Sequence, residues 1–374
     1  MNIIHMNVID IIYARYFTPD GTNLSIGGVE TYITQLARLA HSMGLAVRIF
    51  QFADNDFVNK IETSIVYGFK HKGDIHDGYL LQRAKESYQS GNKYLTIIAN
   101  DNLIPNYKVE NSIVIQHGIG FDSCFGKNEP LWIDFIKRQK LAYSIVKALE
   151  NVDEVVCVDN NFICWYRTQT SLRNIKLTPI LNFTEIGSRT VKKSHSPVKI
   201  LFARRFVEIR GTRLFTPVVK RLLDKYSDIE ITFAGKGPDE YYIKETLKGY
   251  DRVNFTSYEY DKSIEFHSEY NISVVPTIFS EGTSLSLLEA MSAHCAVVCT
   301  NIGGMTNIIL DGYNGLMVTP NHDELYNAIS ILIEDSNFRE QIAERAYDTV
   351  CSSFSIEKWQ EKWKNVLNRN LSKL

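Results

Sequence analysis

Two glutamates eight positions apart, Glu281 and Glu289, stand in the stretch VVPTIFSEGTSLSLLEAMSAHCAVVCTNIGG over residues 274–304. The apolar run up to Pro276 reads as a strand, the polar residues after it as a loop, and the run from residues 283–284 as a helix. Glu281 then lies in the loop and Glu289 in the helix. The first amides of that helix, at residues 284–286, form an N-terminus that favours an anion, most naturally a phosphate. Glu281 can hold a neutral polar group beside the anion, and Glu289 can accept hydrogen bonds from a diol. A second reading needs no ligand, because Ser286 and Glu289 have the Ser-x-x-Glu spacing of a capping box.

The stretch LFARRFVEIRG over residues 201–211 ends a strand in Arg204 and Arg205 and sets Arg210 beside Gly211. Arginine at the carboxyl end of a parallel strand faces the ligand crevice and offers a permanent, forked cation to phosphate oxygens. Residues 189–225 carry eleven basic side chains against two acidic ones. The lysines among them read as solvated surface, Arg205 and Arg210 as ligand-facing. Gly27 and Gly28 follow the first strand, where paired glycines either let the backbone approach a phosphate or make a plain turn. His117, in IVIQHGIG, sits at a strand's carboxyl end, and a structural role and a ligand role are both open to it. Asp54–Asn55–Asp56 has the Asp-x-Asp form that can hold a divalent metal and a diphosphate. With no second acidic cluster beside it in sequence, it reads as a turn.

The elements that must position these residues alternate between apolar strand-like runs and amphipathic helix-length runs, the rhythm of an α/β chain with parallel sheets. In the first half, strands are expected at 2–12, 45–52, 94–99, 112–116 and 154–158, with helices at 29–42 and 130–151. The polar stretch TEIGSRTVKKSHSP at 184–197 reads as an interdomain linker. A second series follows, with strands at 198–203, 230–234, 252–255, 272–275 and 296–300 and helices at 212–226, 239–248 and 284–293. The expected domains are 1–184, 185–354 and a C-terminal helix, 355–374, crossing back to the first. Two Rossmann-like halves would face each other across a cleft, where ligands bind.

A length of 374 residues suits two domains of about 150–200 residues. With 44% hydrophobic and 22% charged residues the chain is globular, and its net charge of −2 argues against a dedicated nucleic-acid binder. The cysteines, Cys124, Cys157, Cys164, Cys295, Cys299 and Cys351, form no CxxC pair and read as buried free thiols in a reducing compartment. Met1–Tyr13 is too short to span a bilayer and lacks a basic n-region. These features predict a soluble, cytoplasmic chain. The helix at 130–151, with Lys137, Arg138, Lys140 and Lys147 beside Trp132 and Phe135, can cover a sheet or lie on an anionic membrane surface.

Together, Glu281-x7-Glu289 followed by Ala290-Met291, the Arg-Arg-x4-Arg-Gly loop, AGKGP at 234–238 and DGYNGLMVTP at 311–320 resemble the family 4 retaining glycosyltransferases of the GT-B fold. The resemblance is strong over residues 198–350 and is carried in the first half by Gly27, Gly28 and His117. It implies that Glu289 binds the ribose hydroxyls of a nucleotide and that Glu281 contacts the donor sugar near the reacting centre. Arg205 and Arg210 would neutralise the diphosphate, and the amides of Thr283, Ser284 and Leu285 would hold donor phosphate and sugar. Gly27 and Gly28 match the phosphate-approach loop, His117 a histidine on the donor sugar, and the helix around Trp359 and Trp363 one that crosses back onto the first domain. The chain departs from the pattern at Arg204 (usually Gly), Arg210 (usually Lys), Ser284 (usually Gly) and Asn307 (often Glu).

The implied reaction moves a sugar from a nucleotide diphosphate donor, expected to be a UDP-sugar, to a hydroxyl acceptor with retention. Neither a metal nor a cofactor is expected. The acceptor would be a glycan or lipid-linked saccharide of cell-surface polysaccharide synthesis, with peripheral membrane contact and no nucleic-acid partner. The rivals are a GT-B-fold sugar-nucleotide epimerase and a non-catalytic sugar-nucleotide-binding subunit.

Overall fold

The computed structural model describes residues 6–25, 27–119, 129–171, 175–190, 193–279 and 281–374. Cys124 and the first residues of the expected strand at 2–12 lie outside them. The chain forms two compact units: Met1–His117, Phe125–Ile180 and Gln360–Leu374 in the first, Gly118–Cys124 and Leu181–Trp359 in the second. The polar stretch 184–197 thus lies inside the second unit, not at the passage between them. Its hydrogen bonds explain why. The Thr184 amide donates to Phe354 O at 2.9 Å and the Ile356 amide to Thr184 O at 3.1 Å. Ser292 Oγ accepts from the Gly187 amide at 2.8 Å and donates to Glu185 O at 2.6 Å.

The first unit contains β1 (Asn7–Ile12), α1 (Gly28–Ser42), β2 (Ala46–Ala53), β3 (Phe57–Ile61), β4 (Ser64–Lys70), α2 (Tyr79–Glu86), β5 (Lys93–Ile98), β6 (Ser112–Gln116), α3 (Leu131–Leu149), β7 (Glu154–Cys157), α4 (Asn160–Gln169) and β8 (Lys176–Pro179). Its sheet runs β3-β4-β2-β1-β5-β6-β7-β8, parallel except where β3 meets β4. A parallel sheet has both faces covered, so its strands read as near-continuous apolar runs, and β1 buries Val8, Ile9, Ile11 and Ile12. The helical spacing in α1 buries Ile33, Leu36, Ala37 and Ala40. Asp54 and Asp56 sit in the bend between β2 and β3, where Asp56 Oδ1 accepts from the Lys70 amide at 2.8 Å.

In α3 only Ala142, Val146 and Leu149 are buried. At its N-terminal half Leu131, Trp132 and Phe135 are 85%, 66% and 58% exposed, so α3 covers the sheet along part of its length only. No helix among the described residues is long and apolar enough to cross a membrane. Cys157, Cys295 and Cys299 are buried free thiols as expected, but Cys164 on the outer side of α4 is exposed.

The second unit contains β9 (Val198–Ala203), α5 (Thr212–Lys225), β10 (Ile229–Ala234), α6 (Glu240–Thr246), β11 (Val253–Thr256), α7 (Ser263–Ser268), β12 (Ile272–Val275), α8 (Leu285–Ser292), β13 (Ala296–Thr300), β14 (Leu316–Val318), α9 (His322–Glu334) and α10 (Ser336–Ser353). Its sheet is parallel throughout the described pairs, in the order β11-β10-β9-β12-β13-β14. Alternate side chains of β9 face opposite sides. Ile200 and Phe202 join Phe215, Val219 and Leu222 of α5 in one core. Leu201 and Ala203 join Leu287, Leu288 and Met291 of α8 in the other. The last helix, α11 (Ile356–Leu371), begins in the second unit and continues in the first. Within the first unit Trp363 is fully buried and its Nε1 donates to Tyr32 Oη at 2.7 Å. Buried Glu154 accepts there from Arg369 and from Asn370 Nδ2, the latter at 2.9 Å.

Candidate functional site

The second sheet builds outward from β9 through β10 to β11, then returns to β12 on the other side of β9. Loops leaving β9 and β12 therefore diverge at a topological switch point, where open α/β sheets bind ligands. Arg204 follows β9 directly, and Glu281 lies in the loop after β12. Both loops are fastened. The Arg204 amide donates to Ala234 O at 3.1 Å and the Phe206 amide to Lys236 O at 2.9 Å, so AGKGP is the bed on which the arginine loop rests. The Ile278 amide donates to Ile209 O at 3.1 Å, stitching the two loops together. Gly211 caps α5 with φ +85°, and a Cβ there would stand 1.8 Å from Pro276 O. Only glycine allows that approach.

Three donors converge on one oxygen of Glu281. Its Oε2 accepts from Arg204 Nη2 at 2.7 Å, from Thr277 Oγ1 at 3.1 Å and from Arg210 Nη1. Arg204 Nη1 also donates to Thr277 Oγ1 at 2.6 Å. Burial pushes the Glu281 carboxyl upward, but Arg204 and Arg210 outweigh it and hold the group below the usual carboxylate range. Glu281 is therefore ionised at neutral pH and acts as a hydrogen-bond acceptor.

Glu289 lies on α8, and its Oε2 accepts from Ser263 Oγ at 2.7 Å. Burial raises its pKa. Ser263 is braced by His267, whose Nδ1 donates to Ser263 O at 2.8 Å. Burial lowers the His267 pKa to about 4, so the ring is neutral. The capping-box reading is corrected here. Ser284, not Ser286, is the N-cap of α8, and it makes no side-chain cap hydrogen bond. Glu289 lies two residues beyond Leu287, the position that would close a box with it, and turns instead to Ser263. The Ser284 side chain thus leaves the first amides of α8 uncapped, and the loop before them is fixed by Asn182 Nδ2, which donates to Thr283 O at 2.5 Å. Thr283 and Ser284 are buried, and Leu285 opens the helix.

Arg205 is exposed, whereas Arg204 is not. Of this pair, Arg204 is the one that hydrogen-bonds to Glu281. The sequence shows Arg204 only as a departure from the family pattern. The signal was its place at the strand end, equal to that of Arg205. Ser263 and Thr277 carry no motif and could be found only through their contacts.

In the first unit Gly27 is the N-cap of α1, extended at φ −179° and without a side-chain cap, and Gly28 begins the helix. His117 follows β6, half-buried, with its ring edge-on to Tyr32 at 5.5 Å. Its Nε2 lies 2.9 Å from Ala99 O. A carbonyl only accepts, so Nε2 carries the proton and Nδ1 is the acceptor. Burial lowers the His117 pKa to about 4 and keeps the ring neutral.

Residues 185–349 match the family model for Glycosyl transferases group 1. The matched residues lie within the second unit. An uncharacterised glycosyltransferase of Methanocaldococcus jannaschii is 23% identical over 354 residues, 89% of this chain and 92% of the relative. Among solved structures, a sucrose-phosphate synthase from Thermosynechococcus elongatus superposes with a TM-score of 0.78 at 16% identity, covering 98% of this chain and all of the other. HepE from Anabaena, solved in complex with UDP, gives 0.70 at 15% identity over 97% of this chain and all of the other. The fold is the two-domain GT-B fold of these proteins. Nothing in these likenesses supports the epimerase reading.

Proposed function

We propose that this chain is a retaining, metal-independent glycosyltransferase that moves a hexose from a UDP-sugar to a saccharide hydroxyl. The observation that carries the reading is the ionised Glu281 held by two arginines beside the uncapped N-terminus of α8, at the switch point of a group 1 glycosyl transferase domain. In this reading Glu289 accepts from the ribose hydroxyls and Glu281 from a hydroxyl of the sugar. His117, in the first unit, offers Nδ1 to a sugar hydroxyl. As the anomeric C–O bond to the diphosphate breaks, negative charge grows on the leaving oxygens. Arg205, Arg210 and the amides of Thr283, Ser284 and Leu285 stabilise it where it develops. The amides of Gly27 and Gly28, at the start of α1, are proposed to approach a phosphate. The acceptor oxygen bonds to the anomeric carbon, and its proton passes to the departing diphosphate. The UDP bound by HepE supports the choice of nucleotide.

The test is proton NMR of UDP-glucose, UDP-galactose and UDP-N-acetylglucosamine with the protein, with and without saccharide acceptors and with a chelator. The expected result is an α-linked product formed only with acceptor and unaffected by chelation. Epimerised donor without acceptor would establish an isomerase instead, and inactivation by chelation would return attention to Asp54 and Asp56.

For the acceptor we propose a lipid-linked saccharide of cell-surface polysaccharide synthesis, met at the cytoplasmic face of a membrane. The uncovered apolar start of α3, beside Lys137, Lys140 and Lys147, supports this. Co-sedimentation with phosphatidylglycerol vesicles is expected to exceed that with phosphatidylcholine vesicles, and Trp132→Ala with Lys140→Glu to weaken it about tenfold. Equal binding to both lipids would remove the anionic-surface proposal.

A further inference from the structure

Glu281 has two cations where its task as an acceptor needs one, and the two are not equivalent. The Arg204 side chain is 6% exposed and is anchored a second time, on Thr277. The Arg210 side chain is 29% exposed and sits at the end of β9's loop, against the cap of α5. A buried carboxylate stripped of its partner is strongly unfavourable. An arginine that was the sole partner of Glu281 could leave it for a phosphate only by exposing that cost.

We propose that Arg204 is a positioning residue that keeps Glu281 compensated, so that Arg210 is released from Glu281 to a bound diphosphate. The inference rests on the nucleotide-diphosphate reading of the site. Arg204 does not itself meet the nucleotide. Its guanidinium is spent on Glu281 and Thr277. Without Arg204, Arg210 is pinned to the carboxylate and the diphosphate loses its cation. A guanidinium can bridge carboxylate and phosphate with separate N–H groups, whereas an ammonium is a single point charge.

The experiment is calorimetric titration of the full-length protein with UDP, GDP, dTDP and ADP, continued with whichever binds most tightly. Arg204→Met is expected to weaken that nucleotide at least about tenfold, although Arg204 does not touch it. Adding Glu281→Gln to Arg204→Met removes the carboxylate that pins Arg210, and is expected to restore affinity to within about threefold of wild type. Arg204→Lys should fall between. Wild-type affinity in Arg204→Met overturns the proposal while leaving the nucleotide reading intact. So does an Arg204→Met, Glu281→Gln double variant as weak as Arg204→Met, because Arg204 would then be contacting phosphate itself. If none of the four nucleotides binds the wild type, the nucleotide reading falls and the proposal with it; if Arg210→Ala binds as the wild type does, the proposal alone falls.

Discussion

In the proposed reaction, Arg210→Ala is expected to lower turnover of the nucleotide-sugar by about two to three orders of magnitude, the range seen when one preorganised charge donor is removed from a transition state. In that reaction the leaving diphosphate would gain its charge as the sugar departs, and a cation placed there beforehand spends nothing on reorganisation at that moment. Arg210 meets this requirement on two counts. It is held against the glycine cap of α5 and its charge is largely withdrawn from water. Arg221→Ala is the control. Arg221 also belongs to the basic run at 189–225, but it pairs with Asp323 in solvent, both side chains being well exposed. Its loss should leave turnover within about twofold of wild type, as exposed pairs contribute little. Initial rates at saturating donor decide the matter, and an Arg210→Ala enzyme retaining a third of wild-type turnover would remove this residue from the machinery.

Gly211→Ala destabilises the protein by about 3–5 kcal/mol, a loss large enough to leave little folded material. Two costs coincide. The backbone at φ +85° is unfavourable for any residue with a Cβ, at about 1–2 kcal/mol. The added Cβ would also lie 1.8 Å from the Pro276 carbonyl oxygen, and backbone on both sides must shift to admit it. Gly312→Ala separates the two, since Gly312 has φ +71° with nothing within 4 Å of the built Cβ. It should show the conformational cost alone, about 1–2 kcal/mol. Urea unfolding of both variants beside wild type tests this, and equal losses would mean that the steric contact at Gly211 relaxes freely.

The strands of the second unit are legible in the sequence because parallel strands covered on both faces leave short unbroken apolar runs, as VKILFA and AVVCT do. The first unit was harder. The β3–β4 pair is an antiparallel addition at the sheet edge, and FVNKI is only partly buried along its length, so no run marks it. The passage between units was misplaced by composition. Residues 184–187 look like a linker, yet they are tied to Ser292 and to residues 354–356, contacts distant in sequence. At the site, Glu281 and Arg210 were legible from their spacing, whereas the partner of Glu289 was not. The Ser-x-x-Glu pattern offered a local partner in Ser286, and the one used, Ser263, comes from a different helix.

The first unit does not end where its sheet ends. Its core needs Trp363 against Tyr32, and its buried Glu154 needs Arg369 and Asn370, all on the last helix. On the ribosome these residues emerge after the whole of the second unit. The unit made earlier is therefore completed later, and until the final turns of α11 arrive Glu154 lacks Arg369 and Asn370 and an open face stands where the tryptophan belongs.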